Sequence, residues 1–107
     1  MSFEYTNFNF DTIVFAQKAE CIFQYTNIGT APLQITKVTS SCGCTIPYWT
    51  KDPIAVGDTA HISVSYNTRR SGKFSRGITV FSNSQNSPIV LTIEGVVTKN
   101  KNKFIIE

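Results

Sequence analysis

The sequence predicts an all-β fold, an immunoglobulin-like β-sandwich of about seven antiparallel strands joined by Greek-key connections. Three observations carry this. Apolar and polar residues alternate in short runs from end to end, which is the period of a strand with one buried face. Turn-forming Gly, Pro and Asn residues punctuate those runs roughly every ten residues, the spacing of a sandwich. No stretch of helical length carries apolar residues at the i, i+3, i+4 spacing of an amphipathic helix. A closed barrel is the alternative arrangement.

Taken in order, residues 8–15 form an edge segment. In residues 20–27, Cys21, Phe23 and Tyr25 share one face and Ile22, Gln24 and Thr26 the other, so the first set turns to the core. Asn27-Ile28-Gly29-Thr30-Ala31-Pro32 makes a turn, with Gly29 open to positive φ and Pro32 leading a strand where no ladder donor is required. Leu33, Ile35 and Val38 follow with a spacing that slips by one, which predicts a bulge near Thr36-Lys37. Residues 40–57 gather Cys42, Gly43, Cys44, Pro47, Trp49 and Pro53, the composition of a crossing connection holding at most a short strand.

Residues 58–67 alternate cleanly, with Ala60, Ile62, Val64 and Tyr66 inward and His61, Ser63 and Ser65 outward. After a loop at 68–73, residues 74–82 point Ile78 and Val80 in and Thr79 and Phe81 out. A polar hairpin connection at 83–88 leads to a last strand at 89–97, with Ile89, Leu91 and Ile93 inward. Gly95 there marks a bulge or a close approach of backbone. Residues 98–107 read as a frayed basic tail ending in the apolar Phe104-Ile105-Ile106.

The whole chain of 107 residues is expected to be one domain. With 41% hydrophobic and only 16% charged residues it is too apolar for a disordered tail. The net charge of +3 is a mild bias, well short of the field of a dedicated nucleic-acid binder, and no nucleic-acid partner is expected. Apolar runs stop at four or five residues, so neither a membrane-spanning helix nor the centre of a signal peptide is found in these residues. Three cysteines, an odd number, leave at least one thiol outside any internal pairing, which excludes a disulfide scaffold.

Several segments together resemble one family: Phe23-Gln24-Tyr25-Thr26-Asn27-Ile28-Gly29, Ala31-Pro32-Leu33-Gln34-Ile35, Ser41-Cys42-Gly43-Cys44-Thr45, Pro53-Ile54-Ala55-Val56-Gly57-Asp58 and Ser82-Asn83. The chain is similar over nearly its whole length to the bacterial family of unknown function number fifteen seventy-three, for which the Ser-Cys-Gly-Cys-Thr element is fairly specific. The resemblance implies an immunoglobulin-type sandwich related to the hydin and abnormal-spindle domains and to the major sperm protein. It also implies a source among the Bacteroidetes and a periplasmic, cell-surface or secreted location, since members usually stand behind a secretion or lipoprotein signal. It implies no activity.

Cys42 and Cys44, separated by one Gly, are the only thiols close enough in sequence to suggest a site. Two such thiolates can clamp a soft ion such as Cu(I) or Zn(II), or interconvert with a strained disulfide. They equally suit a tight crossing segment in which both are small buried residues and Gly43 gives backbone freedom. A bridge from Cys21 to either is a further arrangement that spacing leaves open. His61, the sole histidine, points outward with no orienting partner in view. Arg69, Arg70, Lys73 and Arg76 form the strongest local charge, suited to phosphate, sulfate or acidic glycans, or to keeping a hairpin edge from pairing. Tyr48 and Trp49 form either a plug between the sheets or an exposed contact point, the plug being favoured.

No paired carboxylates, phosphate-binding Gly loop, nucleophile elbow or zinc-protease motif occurs. The sequence therefore predicts no enzyme and no cofactor. It predicts a non-catalytic interaction or spacer module of a cell-envelope or secreted protein that binds a protein or glycan partner. The alternative is a thiol redox or soft-metal module built on Cys42 and Cys44.

Overall fold

The computed structural model describes residues 1–41 and 45–98, with residue 46 through its backbone alone. Among these residues the chain forms eight strands: β1 (Ser2–Phe3), β2 (Asn7–Val14), β3 (Ala19–Thr26), β4 (Ile35–Ser40), β5 (Thr45–Tyr48), β6 (Thr59–Tyr66), β7 (Gly72–Ser82) and β8 (Ile89–Thr98). They make two four-stranded sheets, β1-β3-β6-β5 and β2-β8-β7-β4. The first and second strands thus lie on opposite layers of one flank, an immunoglobulin-like sandwich arrangement. No helix among the described residues is long and apolar enough to cross a membrane.

The core follows from the alternation. Cys21, Phe23 and Tyr25 on β3 and Ile62 and Val64 on β6 face Ile78 and Val80 on β7 and Leu91 and Ile93 on β8, all buried. Burying each of the larger aliphatic and aromatic side chains stabilises the fold by about 1.5–3 kcal/mol. The layers meet where Tyr66 of β6 stacks flat on Phe74 of β7, ring centroids 3.8 Å apart and planes 10° apart. That contact pins the two sheets at the end where β6 passes into β7.

The inward and outward sets on β3, β6 and β7 are those the alternation predicts. The bulge near Thr36-Lys37 is present as a register shift between Ile35 and Lys37. The connection at 40–57 holds the short β5, and Leu33 pairs with Ile54 in an isolated bridge. Two details differ from the expectation. The β2–β8 pair is parallel, because β2 leaves the first sheet after β1 and runs alongside the last strand in the same direction. Thr98 is also not part of a frayed tail: it pairs with Val14 and donates its hydroxyl to the Ile13 carbonyl at 3.4 Å. The rest of that segment, 99–107, lies outside the described residues.

Gly95 is a close approach. Its own pairing with Phe74 is regular, while β2 places two residues, Phe10 and Asp11, opposite it between the Asn9–Glu94 and Thr12–Val96 pairs. Asp11 takes a left-handed φ of 60°, and its N–H is held by the Asn9 side chain at 2.8 Å. Asn and Asp tolerate such turns because their short polar side chains bond locally.

Candidate functional site

The segments that carry the family resemblance are far apart in the chain, and the fold brings four of them to one end of the sandwich. Asn27, only 2% exposed, is the hub. Its side-chain amide donates to the carbonyls of Ala31 and Ile54 at 2.9 Å each, and its Oδ1 accepts the Gly29 N–H at 2.9 Å. Its backbone N–H donates to the Asp58 carbonyl at 3.0 Å, and its carbonyl accepts the Gly57 N–H at 2.8 Å. An amide is suited to this place because it offers two donors and an acceptor from one short side chain. Asn83 is the second clamp. It accepts the Gln34 N–H at 3.0 Å and donates to the Pro32 carbonyl at 3.1 Å, tying the β7–β8 loop to the β3–β4 loop.

These bonds fix three loops as one tip around an open cleft of about 590 Å³, lined by residues of the β3–β4 and β7–β8 loops and by Met1. Among polar residues such as Thr30, Asn83 and Gln85, the tip exposes two large apolar side chains. Ile28, next to Asn27, is 68% exposed, and Val56, next to Gly57, is 52% exposed. The Gly57 to Asn27 bond joins the two segments that bear these side chains.

A second groove of about 600 Å³ runs beside β5 and β6 and includes Tyr48, Trp49, Lys51, Asp52 and His61. The two aromatics part company here. Trp49 packs against the core, and Lys51 Nζ stands over its ring, 5.0 Å from the centroid, whereas Tyr48 is 75% exposed. His61 is exposed on the outer face of β6, opposite Gln24.

Cys42 and Cys44 lie outside the described residues. Cys21 is a free, buried thiol, so the bridge from it that spacing leaves open is not made. Desolvation by burial, reinforced by the Glu20 carboxylate, pushes its pKa up to about 12, which leaves it a protonated and inert core residue. Among the described residues no three His, Cys, Asp or Glu side chains converge as a metal site would require.

Three of the four candidate basic residues fall at the end opposite the tip. Arg69 and Arg70 are exposed in the β6–β7 loop and Lys73 is exposed at the start of β7. Arg76 is set apart from them. It shares the parity of Phe74, Ile78 and Val80 on the core-facing side of β7 and is half-buried, with Nη1 donating to the Ser75 carbonyl at 2.9 Å.

Sequence reasoning names none of Ile28, Val56 or Asn83 as site residues. The available signal is that each belongs to a segment that carries the resemblance, and only the fold shows those segments sharing one tip.

Fold and surface together define an immunoglobulin-like module whose loops are held rigid at one end. The chain belongs to the family described as Protein of unknown function (DUF1573), whose model matches residues 1–97. Solved structures agree on the fold. A protein of unknown function from Porphyromonas gingivalis W83 is similar with a TM-score of 0.77 and 13% identity, over 89% of this chain and 46% of that one. The ASH / PapD-like domain 7 of human CEP192 is similar with a TM-score of 0.77 and 10% identity, over 94% and 86%. Vibrio cholerae VesB protease is similar with a TM-score of 0.67 and 18% identity, over 90% of this chain and 31% of that one. This chain therefore spans about half of the Porphyromonas protein and under a third of the protease. No curated protein matches it.

Proposed function

We propose that this chain is a non-catalytic interaction module of a bacterial cell-envelope or secreted protein, and that its tip is the surface that meets a protein or glycan partner. The observation that carries the reading is the pairing of a hydrogen-bonded base with two exposed apolar side chains. Asn27 satisfies all its polar groups within the tip, and the residues beside the Asn27–Gly57 bond expose Ile28 and Val56 to solvent. Exposed apolar side chains on loops that are already ordered suit binding, because little conformational entropy is lost when a partner arrives. Their place on loops of one end matches where sandwiches present recognition surfaces.

The test places a photo-crosslinking amino acid at Ile28, Val56 or Val90, one at a time, in the full-length protein within its own cells. Val90 is 56% exposed on the outer face of β8 and serves as the control for exposure alone. Adducts at the first two positions and not at the third support the reading. Adducts at none of the three, or equally at all, sink it.

A further inference from the structure

The flank between β2 and β3 is unevenly covered. In the second sheet β2 runs for eight residues along the edge, but β1, its counterpart on the first sheet, pairs only with Thr26 and Tyr25. The last rung is the Glu4 N–H to the Gln24 carbonyl at 2.9 Å. Since alternate residues of a strand turn their backbone groups to the same side, Ile22 and Glu20 face that open flank as Gln24 does. The phenol of Tyr5 donates to the Ile22 carbonyl at 2.7 Å. No group among the described residues pairs with the Ile22 N–H or with the backbone of Glu20 on that side.

Beneath this edge lies an aromatic row. Phe8 and Phe10 have the inward parity of β2 and pack against the core, yet remain only half-buried. Tyr5 lies 6.3 Å from Phe8, and Phe8 lies 4.9 Å from Phe10, between ring centroids. The other edges of the sandwich are blunted. β5 carries Pro47, β2 the bulge at Phe10-Asp11, and β4 a bulge with the exposed Lys37, all devices that discourage strand pairing.

We propose that the β3 edge from Glu20 to Ile22 accepts an extended segment of another polypeptide by strand addition. The segment has apolar residues at alternate positions, which cover Tyr5, Phe8 and Phe10, and basic residues between them. The backbone groups require a strand, since only a peptide supplies alternating donors and acceptors at that repeat. The flanking charge sets its sign: Glu4, Asp11 and Glu20 are exposed there against Lys18, whose Nζ is 3.9 Å from Glu20. A second copy of this chain would bring the same carboxylates edge to edge and is disfavoured by repulsion. This surface is separate from the tip, so a failure of the tip reading leaves it standing.

The test follows amide exchange by NMR with a capped hexapeptide of alternating Val and Lys as the probe. In the free protein the Glu20 and Ile22 amides exchange fast, while those of Cys21 and Phe23, turned toward β6, are protected. Saturating peptide is expected to slow Glu20 and Ile22 at least tenfold. An Ile22→Pro variant, which removes an N–H that the fold itself does not use, is expected to bind no peptide. Unchanged exchange at Glu20 and Ile22 with millimolar peptide overturns the proposal whatever the variant does. Protection that appears without peptide and grows with protein concentration also overturns it, in favour of self-association.

Discussion

Gly95 and Asp11 face each other across the β2–β8 pair so closely that a Cβ on Gly95 would lie 3.1 Å from the Asp11 carbonyl oxygen. The same methyl would meet Phe10 Cβ and Phe74 Cε1 at 3.1 Å. Phe10 and Asp11 are the bulged residues of β2, between the Asn9–Glu94 and Thr12–Val96 pairs, so a methyl at position 95 fits only if the bulge gives by a few tenths of an ångström.

Gly95→Ala is therefore expected to destabilise the fold by about 1–3 kcal/mol through overpacking. Gly77→Ala is the control, because its methyl would meet only Val90 Cγ1 at 3.7 Å, and a change within about 0.5 kcal/mol is expected. Urea unfolding of both variants reads the difference. Equal midpoints would show that β2 yields.

Asn27→Ala removes the side-chain donors to Ala31 and Ile54 and the acceptor for Gly29. A loss of about 2–3 kcal/mol is expected, since partly buried backbone groups are left without partners. Asn27→Asp restores the acceptor but not the donors and sets a carboxylate against two carbonyls, so it is expected not to recover the loss. Ile28→Asp, by contrast, is expected to leave the unfolding midpoint almost unchanged, as the side chain is 68% exposed.

The thiol of Cys21 gives a pH signature. Its pKa is raised from 9.0 to about 12 by burial and then by Glu20. Below 9 both folded and unfolded chains hold the proton and the contribution is constant. As pH climbs beyond that, the unfolded chain releases a proton the native state keeps, so stability falls by about 1.4 kcal/mol per unit until pH reaches about 12. Burial raises Tyr25 as well, which adds loss in the same direction above 10.0. Unfolding free energies at a series of alkaline pH values are expected to fall less steeply in Cys21→Ala; identical slopes would contradict the assignment. In the native state at pH 8, a disulfide reagent is expected to count at most two of the three thiols.

Arg69, Arg70 and Lys73 are exposed at the end opposite the tip, whereas Arg76 turns to the core side of β7. If this end contacts polyanions, alanine at any of the first three is expected to lower the salt needed for elution from a heparin column, and Arg76→Ala to lower it least. Equal effects from all four would mean that they act as one patch.

The strands and their inward faces are legible because the burial of one sheet face imposes a period of two, visible at Cys21, Phe23 and Tyr25 or at Ile62 and Val64. Gly95 is legible as exceptional, but the partner it accommodates is not: Asn9-Phe10-Asp11-Thr12 reads as plain alternation, and the left-handed turn at Asp11 depends on the Asn9 side chain. The parallel β2–β8 pair joins residues more than eighty positions apart, so no local pattern encodes it. The tip is hidden for the same reason. Asn27, Ile54 and Asn83 each look like ordinary loop residues until the fold places them together.

The parallel run of β2 beside β8 has a mechanical consequence. Asn7 opens one strand and Thr98 closes the other, at opposite ends of the shared ladder. Tension drawn between those points slides the strands past each other and loads their rungs together, whereas an antiparallel pair pulled from adjacent ends would open one rung at a time. A force-extension trace taken between these attachment points is expected to show one abrupt rupture, with no gradual yielding before it.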